Sequence, residues 1–449
     1  MIGAGSAGIA AARAVQSSNR SVLVLEAMDR TGGRCWTDTS LGVPYEPGAQ
    51  FISQAQSLNT VLYPIAKQLG IDTVDGAVFP PVFFDLATGT KSSDLEQADF
   101  AATFGLANTA LLAYGLSITL GEPDLSAHQV IAGAGLANAD YVKLVEQICV
   151  SVVDTGDPAD QSVEDLYNFG QFSPLPFFYP PNDSLFVPSG YGALLSRLAE
   201  GLPIQISSPV QSITYGGNTV GVKTAAGATY QAKAVIVTAS VNVLKAGSIA
   251  FSPALPAAYT TALSGITMGH AYKALLKFNG EPFVNASLGV KAGKMANLVP
   301  LVDGTTPTFF ANYLADMNPG AGPFLMIACE GEDALSFEAL APSAAGKQIC
   351  TMLEPTFPGI TAAWTGEILA STWQSNPYTL GCISYAKPGK ASARLELAKP
   401  INNQVWFAGE ACSVHSHSQV HGAWASGTDA GFAALAAIGA LSAKPAPAP

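Results

Sequence analysis

Hydrophobic residues follow two different spacings along this 449-residue chain. Near the amino terminus, an apolar helical pattern at 9–15 is followed by a polar turn and then by an apolar run of strand length at 21–25. From about 75 to 186, stretches rich in Ala and Leu predict long helices, separated by aromatic, Pro-rich breaks such as 172–176. Short alternating or continuous apolar runs then predict strands. These runs lie at 204–206, 210–213, 220–222, 234–238, 272–278 and 324–329.

This order of elements predicts an α/β fold. The strand and helix signals near the amino terminus are typical of a parallel sheet with crossover helices. The helical stretch at 75–186 fits an insertion that caps a substrate cavity. The strand-like runs between 246 and 372 fit the sheet of a substrate domain.

The first residues contain the spacing G-x-G-x-x-G. Gly3 permits a tight turn, Gly5 lets the backbone approach a pyrophosphate, and Gly8 allows the following helix to pack closely on the strand. Ser6 lies at the start of that helix, where free N–H groups attract an anion. The motif therefore predicts a dinucleotide site, and a glycine-rich turn without a ligand is the alternative.

Glu26 ends the strand that follows this helix, 18 residues beyond Gly8. At this distance an acidic side chain accepts hydrogen bonds from both hydroxyls of an adenosine ribose. The strand, turn, helix, strand and acid together are more specific than the glycines alone.

Composition restricts the class of partner. The net charge is −12, which disfavours nucleic acid and anionic membrane surfaces. Only 12% of the residues are charged, against about 25% in typical domains, so we expect large buried cores.

A long apolar stretch and six cysteines raise the questions of a membrane span and of a disulfide or zinc site. The stretch 100–121 approaches membrane-spanning length, but it contains glycines and polar residues, and we interpret it as a buried helix rather than a membrane span. The six cysteines show no C-x-x-C spacing, so neither a disulfide framework nor a zinc site is predicted.

Five motifs in order along the chain resemble the flavin-containing amine oxidase superfamily. The first is the glycine motif, and the second is RTGGR at 30–34, whose arginines are placed to pair with a pyrophosphate. The third, EPGAQF at 46–51, resembles the loop that passes the flavin ring. The fourth leads to Gly409 and Glu410, and the fifth, VHGAWASG at 420–427, resembles a polyamine oxidase pattern.

The resemblance implies a Rossmann-type FAD-binding domain, built on a parallel sheet and interleaved with an α+β substrate-binding domain. The FAD-binding part is expected at 1–75, 187–245 and 373–449, and the substrate-binding part at 76–186 and 246–372. The implied cofactor-binding residues are Gly3, Gly5, Ser6, Gly8, Glu26, Ala27, Arg34, Gly48, Ala49, Gln50, Phe51, Val210, Cys382, Gly409, Glu410 and Val420.

Lys273 is the strongest catalytic candidate, because the segment MGHAYK at 268–273 resembles the family segment whose lysine holds a water against flavin N5. A lysine inside an apolar strand is otherwise costly. Trp373, Ile383 and Gln419 are expected to line the substrate cavity. Further candidates for an apolar lining are Phe51, Tyr378 and Trp424.

Departures from the family narrow the expected substrate. Ile383 and Gln419 stand where monoamine oxidases have two tyrosines, so the aromatic cage is absent. Phe51 stands where L-amino-acid oxidases have a carboxylate-binding arginine. We therefore expect an amine substrate, with an L-amino-acid oxidase or a desaturase or isomerase of C–C bonds as alternatives. A nicotinamide dehydrogenase is disfavoured, because the arginine doublet and the Gly-Glu segment have no place in it.

Two smaller questions stay open at this stage. His415, His417 and His421 have the spacing H-x-H-x₃-H, but the segment coincides with the flavin-facing turn. We expect His415 or His417 near substrate rather than on a metal. Cys382 stands where monoamine oxidases carry their flavin thioether, and non-covalent FAD is the prediction, with a thioether the alternative.

The remaining expectations concern partners. The reduced flavin is expected to pass electrons to O₂ or to an acceptor protein. The sequence leaves open whether the chain forms a homodimer. Only Met1 and Ile2 precede the glycine motif, so the recorded chain is expected to begin inside a strand, with any export signal upstream. A soluble protein is expected, and its compartment stays open.

Overall fold

The computed structural model describes residues 1–53, 61–75, 79–136, 138–151, 155–169, 184–302, 304–318, 320 and 322–440. The Pro-rich break expected at 172–176 lies outside these residues.

The strands of the described residues are two to eight residues long. They are β1 (Val24–Leu25), β2 (Phe51–Ser53), β3 (Val74–Asp75), β4 (Pro81–Asp85), β5 (Thr90–Lys91), β6 (Ser184–Phe186), β7 (Ile204–Gln205), β8 (Val210–Thr214), β9 (Val220–Thr224), β10 (Thr229–Ala232), β11 (Val235–Val237), β12 (Ala250–Ser252), β13 (Ile266–Met268), β14 (Ala271–Phe278), β15 (Ala296–Pro300), β16 (Thr308–Ala311), β17 (Phe324–Glu330), β18 (Trp364–Ala370), β19 (Ser384–Ala386) and β20 (Val405–Phe407).

The α-helices of the same residues are α1 (Ser6–Ser17), α2 (Leu62–Gln68), α3 (Asp94–Ile118), α4 (Ala127–Gly133), α5 (Val142–Glu146), α6 (Val163–Phe169), α7 (Tyr191–Ala199), α8 (Val241–Lys245), α9 (Ala257–Gly265), α10 (Gly331–Glu338), α11 (Pro342–Leu353), α12 (Ile360–Ala363), α13 (Ala393–Leu397) and α14 (Val420–Ala437). A π-helical turn at Gln147–Ser151 follows α5.

A parallel sheet brings the two ends of the chain together. Ile2 forms parallel bridges with Leu25 of β1 and Val237 of β11. Strand β7 continues the sheet beyond β1, and β20 continues it beyond β11, both in parallel. The predicted α/β class and its parallel sheet are confirmed, and Ile2 takes the central strand position that the glycine motif requires.

Helices α1 and α14 cover one face of this sheet in close contact. A Cβ on Gly427 would lie 2.0 Å from the carbonyl oxygen of Ala7, and one on Gly431 would lie 2.9 Å from the Ala14 methyl group. Because neither glycine carries a side chain, the two helix backbones approach directly. The amino terminus of α14 is thereby held beside that of α1.

A seven-stranded mixed sheet forms the second part, in the order β18-β14-β17-β16-β15-β4-β5. Helices α10 and α11 cover one face of it, where Ala334, Phe337 and Ile349 join the buried core. The sequence predicted only helices for 75–186, yet β4 from that stretch pairs in parallel with β15. That expectation is corrected: β4 is short, and its run Val82, Phe83, Phe84 lacks the polar alternation that marks a half-exposed strand.

Helices α3 to α6 and the π-helical turn form a helical layer over this sheet. Phe100, Phe104 and Leu111 of α3 are buried in it, whereas Leu112 and Leu116 on the opposite face are exposed. Among the described residues α3 alone is long and apolar enough to cross a membrane by length and composition, and 28% of its most apolar window is buried. The expectation of a buried helix at 100–121 therefore holds for one face only. Apolar residues are spread around the whole circumference of this helix, so its sequence did not indicate which face would pack.

Candidate active site

A continuous cavity of about 1100 Å³ runs between the parallel sheet and the seven-stranded sheet. It exceeds the roughly 300–1,000 Å³ of most ligand pockets. Gly3, Gly5 and Glu26 line one end, whereas Phe104 and Phe310 line the other. Of the predicted cofactor-binding residues, those on its wall are Gly3, Gly5, Ser6, Glu26, Ala27, Arg34, Gly48, Ala49, Gln50, Phe51, Val210, Cys382, Gly409, Glu410 and Val420.

The amino terminus of α1 opens onto this cavity without a cap. Its N-cap residue is Gly5, no side chain accepts from the first turn, and that turn contains no acid. Gly3 has φ of +99°, and a Cβ on Gly8 would lie 1.9 Å from the carbonyl oxygen of Gly3. Gly8 thus packs behind the motif, while the free N–H groups of α1 face the cavity and are suited to an anion.

Glu26 lines the cavity together with Gly3 and Gly5 and is buried. Its carboxylate accepts hydrogen bonds from the backbone N–H of Ala4 at 2.5 Å and of Met28 at 2.8 Å. Burial raises the pKa of Glu26, and these backbone hydrogen bonds oppose the shift. The carboxylate is therefore held rigidly on the wall, where its remaining lone pairs can accept from a ligand hydroxyl.

The two arginines of the RTGGR segment differ in position. Arg30 stacks over the ring of Trp36 at 4.1 Å and donates to the carbonyl of Gly33 at 2.8 Å. Arg34 lines the cavity, but its guanidinium donates to Glu410 at 2.9 Å and to the carbonyl of Cys382 at 2.7 Å. Pairing with a pyrophosphate stays a prediction for Arg34, since part of its hydrogen-bonding capacity is already used.

A second helix amino terminus faces the cavity beside the first. The N-cap of α14 is Gln419, which makes no side-chain capping bond, and the first turn contains no acid. The hydroxyl of Ser6 donates to the carbonyl of Val420 at 2.8 Å and so joins the two helix ends. Two uncapped helix termini in one cavity favour a ligand with more than one electron-rich region.

Both carboxylate oxygens of Glu410 accept hydrogen bonds. Besides Arg34, it accepts from the Ser384 hydroxyl at 2.6 Å, and Ser384 in turn accepts from Arg394 at 2.9 Å. Burial alone would raise the pKa of Glu410, but Arg34 and Arg394 hold it below its usual value. Arg394 is itself fully buried and forms two hydrogen bonds, of 2.7 and 2.8 Å, to the Asp165 carboxylate.

Lys273 of β14 lines the cavity. Its ammonium donates to the carbonyl of Gly48 at 2.7 Å and to the side-chain oxygen of Gln50 at 3.1 Å. Burial lowers the pKa of Lys273, and the Glu46 carboxylate opposes the shift. An ammonium has three donors, and the described residues accept from two of those of Lys273.

Other predicted lining residues are split between the wall and the interior. Ile383, Gln419 and Tyr378 line the cavity. Trp373 and Trp424 are buried but do not line it, so their predicted placement is corrected. The indole N–H of Trp373 donates to the carbonyl of Pro47 at 2.8 Å and supports the loop of Gly48 from behind.

Neither of the first two histidines in the H-x-H-x₃-H segment lines the cavity. His415 contacts the carbonyl of Asn168 at 3.2 Å. His417 is fully buried, 3.5 Å from Asp165, and burial lowers its pKa to about 4. The expectation of a histidine near substrate is corrected for both. Among the described residues, no three His, Cys, Asp or Glu side chains come together as metal ligands.

The sequence did not single out Glu330 and Asn297, which lie on strands of the seven-stranded sheet, or Gln147 of the π-helical turn. Glu330 and Asn297 line the cavity, and Gln147 donates to Glu330 at 3.4 Å. The available signal was the position of Glu330 directly after the apolar run 324–329, where alternation puts it on the same face as Ala328.

These features fit FAD. The cavity offers an uncapped helix terminus for a pyrophosphate, a buried carboxylate for a ribose, and a glycine cradle at Gly5, where a Cβ would meet no protein atom closer than 3.9 Å. A second helix terminus and the buried Lys273 lie further along the same cavity. The fold and the site define a dinucleotide-dependent oxidoreductase.

Comparison with known proteins agrees with this class. Residues 6–119 and 148–431 match the profile of the flavin containing amine oxidoreductase family. Polyamine oxidase 4 of Oryza sativa subsp. japonica is 30% identical over 442 residues, which cover 95% of this chain and 86% of that protein. Lysine-specific histone demethylase 2 of Homo sapiens is 29% identical over 447 residues, covering 95% of this chain and 52% of that protein.

Solved structures show the same fold. A double mutant of putrescine oxidase, made to redesign cofactor binding, has a TM-score of 0.77 at 19% identity and covers 97% of this chain and 98% of that chain. Cyclohexylamine oxidase from Brevibacterium oxydans has a TM-score of 0.74 at 19% identity, with 98% of both chains covered.

The chain belongs to the flavin containing amine oxidoreductase family. It is an oxidoreductase, and FAD is its cofactor. The expected family, enzyme class and cofactor are confirmed.

Proposed function

We propose that the protein oxidises the C–N bond of a small amine to an imine, which water then hydrolyses to an aldehyde or ketone. When bound, FAD supplies the hydride acceptor at its N5 atom. The electrons pass on to O₂ or to an acceptor protein. The observation that carries this proposal is the single cavity that joins the nucleotide end, at Glu26, to an apolar region containing Lys273.

Lys273 is suited to hold a water at the reacting end of the cavity. The ammonium donates to the carbonyl of Gly48 at 2.7 Å and to the side-chain oxygen of Gln50 at 3.1 Å, which fixes its position on the cavity wall. Gln50 is fixed in turn, because its amide N–H donates to the hydroxyl of Tyr313 at 3.2 Å. This chain of hydrogen bonds supports the proposal, because an ammonium fixed in this way could hold a water in one place.

Apolar side chains keep the substrate region poor in bulk water. Phe51, Ile148, Phe186, Phe310 and Ile383 all line it. Low water content favours a neutral amine over an ammonium, and only the neutral amine has the lone pair that the oxidation needs. The same walls exclude competing water during turnover.

The charges of the cavity favour an amine over an α-amino acid. Among the described residues, Arg34 and Lys273 are the cationic side chains on its wall. Arg34 pairs with Glu410, and Lys273 is held at Gly48. A substrate carboxylate would therefore have no arginine to pair with in the substrate region, which argues against an L-amino-acid oxidase.

An anaerobic screen tests the proposal. Purified holoenzyme is mixed with amines, L-amino acids and apolar alkenes, and the flavin absorbance is followed. We expect bleaching by amines alone, with the colour returning when air or an artificial acceptor is admitted. Recovery in air separates an oxidase from a dehydrogenase. Bleaching by amino acids or by a hydrocarbon, with none by amines, would overturn the assignment.

A further inference from the structure

Asn297 places a neutral amide on the face of the seven-stranded sheet that lines the cavity. It lies in β15 opposite Phe310 of β16, and both residues line the cavity. Thr308, two residues before Phe310 on the same face of its strand, lines it as well and stands opposite Ala328 of β17. Ala328 in turn stands opposite Lys273 of β14. The side chains of Asn297 and Lys273 therefore belong to one face of the sheet.

The register separates these two side chains widely. In the order β14-β17-β16-β15, Asn297 is three strands away from Lys273 and displaced by two residues along the sheet. This amounts to about 14 Å across the strands and about 7 Å along them. The side chains of Phe310 and Ala328, which lie between them on the wall, are apolar. A ligand that reaches both Asn297 and Lys273 must therefore be long.

The side-chain oxygen of Asn297 is buried without a hydrogen bond. The residue is 7% exposed, and within the described part of the chain no group donates to its Oδ1 atom. A buried amide without a partner costs free energy, and nearly all such groups in folded proteins are paired. The terminal bond of an asparagine side chain turns between two orientations, so either the oxygen or the nitrogen of Asn297 can face the cavity. The amide is therefore available to a ligand.

The surroundings of Asn297 favour a neutral ligand group over a charged one. Among the described residues, the carboxylates on the cavity wall are Glu26, Glu330 and Glu410. Glu330 is the one on this sheet, but Met326 of β17 is at the level of Asn297, and Glu330 lies four residues further along. An ammonium at Asn297 would face a neutral amide alone, which is costly in an apolar cavity. A hydroxyl is neutral and both donates and accepts, so it suits either orientation of the amide.

We propose that Asn297 binds a hydroxyl group at the far end of the substrate, and so selects long amino alcohols over plain alkylamines. This inference rests on the proposed amine oxidation and assigns a specificity-determining residue to it. The amine that reacts lies near Lys273, and the carbon chain crosses the sheet to bring the hydroxyl to Asn297. Because Asn297 is remote from the glycine motif, its replacement leaves FAD binding unchanged.

A matched set of substrates tests the role of Asn297. Octylamine, 8-aminooctan-1-ol and octane-1,8-diamine share one chain length and differ in the group at the far end. We expect wild-type kcat/KM to be highest for the amino alcohol, and Asn297→Leu to lower the ratio of amino alcohol to octylamine by about 3- to 10-fold, the loss of one neutral hydrogen bond. Asn279→Leu, at an exposed position directly after β14, is the control and should leave the ratio unchanged.

The stability of the holoenzyme separates a ligand site from a structural amide. Replacing an unpaired buried amide by an apolar side chain removes no hydrogen bond from the fold. Asn297→Leu should therefore leave the Tm unchanged or raise it. Asn297→Ala, which adds no volume, guards against an effect of crowding by leucine. A Tm lowered by several degrees in both variants would show that the amide has a partner within the fold, which overturns the inference.

A series of amino alcohols from four to ten carbons adds a second measurement. Wild type should prefer the longer members, and Asn297→Leu should flatten this dependence at unchanged FAD content. An equal loss of kcat/KM for all three octyl substrates would show that Asn297 acts on the reacting end or on the fold, which overturns the inference. A wild-type enzyme that prefers octylamine or the diamine overturns it as well, although amine oxidation would stand. If wild type oxidises no amine at all, the proposed function itself fails, and the inference with it.

Discussion

Arg34 and Glu410 form an ion pair of 2.9 Å that joins the two ends of the chain across the cofactor site. Arg34 ends the RTGGR segment that follows β1, whereas Glu410 comes after β20, the last strand of the parallel sheet along the chain. The same arginine bonds the carbonyl of Cys382 at 2.7 Å. Three segments that are distant in sequence are thus joined at one guanidinium on the cavity wall.

The buried pair of Asp165 and Arg394 supports this junction from the helical layer, through Ser384 and Glu410. We expect Asp165→Asn to lower the free energy of unfolding by about 3–5 kcal/mol, because the buried guanidinium of Arg394 loses the negative charge that it pairs with. Denaturant unfolding of the holoenzyme measures this. The control is Asp160→Asn, which breaks the exposed pair of Asp160 with Lys387 and should cost about 0–1 kcal/mol. Equal stability of the two variants would contradict the role of Asp165.

The contribution of Asp165 also predicts a pH dependence. Burial would raise its pKa, but Arg394 and His417 outweigh burial and hold it at about 2, below the ordinary 3.8. A carboxyl whose pKa is lower in the folded state stabilises the protein above the unfolded pKa, and this contribution is lost as the pH falls through the folded one. The difference in unfolding free energy between wild type and Asp165→Asn should therefore be smaller at pH 3 than at pH 7. A difference that grows on acidification would refute the assignment.

Glu26 is expected to decide whether FAD stays bound. Glu26→Ala removes the carboxylate that we expect to accept from the ribose hydroxyls, with about 1.5–3 kcal/mol for each such charge-assisted bond, so flavin should be released during purification. The absorbance ratio of flavin to protein and the Kd for added FAD report the change. Asp29→Asn, at an exposed position three residues on, is the control. Full occupancy with unchanged affinity in Glu26→Ala would remove Glu26 from the cofactor site.

Lys273 is expected to affect chemistry without affecting FAD content. Lys273→Met keeps the approximate length of the side chain but loses the donor that would hold a water, so we expect flavin reduction by amine, or its reoxidation by oxygen, to slow by about 100-fold or more. Stopped-flow measurement of the two half-reactions separates the steps. Lys277→Met on the same strand, where the lysine forms a partly exposed pair with Glu367, is the matched control. Wild-type rates in both half-reactions would exclude a catalytic role for Lys273.

The spacing of residues along the sequence was sufficient to predict that Gly3, Gly5 and Glu26 would line one cavity. Gly3, Gly5, Gly8 and Glu26 act within one strand-helix-strand unit, where geometry follows directly from the number of residues between them. Lys273 could be picked out for a similar reason, since a charge inside an apolar strand needs an explanation wherever the strand lies.

The positions of the other residues depend on contacts between segments that are distant in sequence. Glu330 reaches the cavity only because β17 pairs with β14 in one register, and a shift of one residue would turn its side chain to the other face. Trp373 was expected on the cavity wall because of its place in a flavin-flanking motif, yet its indole N–H donates to the carbonyl of Pro47 behind the wall. The pairing of β4 with β15 joins segments about 215 residues apart, which no window along the sequence contains.

The last prediction concerns the bond between protein and flavin, at Cys382. This thiol lines the cavity, and burial raises its pKa to about 11, with Arg34 and Lys273 opposing the shift and Glu410 adding to it. A thioether to the 8α-methyl carbon requires a thiolate, and at neutral pH a pKa near 11 leaves about one thiol in ten thousand ionised. We therefore expect FAD to be held without a covalent bond.

Acid precipitation distinguishes the two states of Cys382 directly. Non-covalent FAD should remain in the supernatant, and the mass of the denatured protein should equal that of the chain alone. Cys382→Ser should then bind FAD as wild type does, because serine retains the backbone N–H that donates to the carbonyl of Gly269 at 2.9 Å. Yellow colour in the protein pellet, together with a mass increase of one FAD that Cys382→Ser abolishes, would instead establish the thioether. That result would mean that a bound flavin lowers the thiol pKa by several units, since the protein groups around Cys382 leave it high.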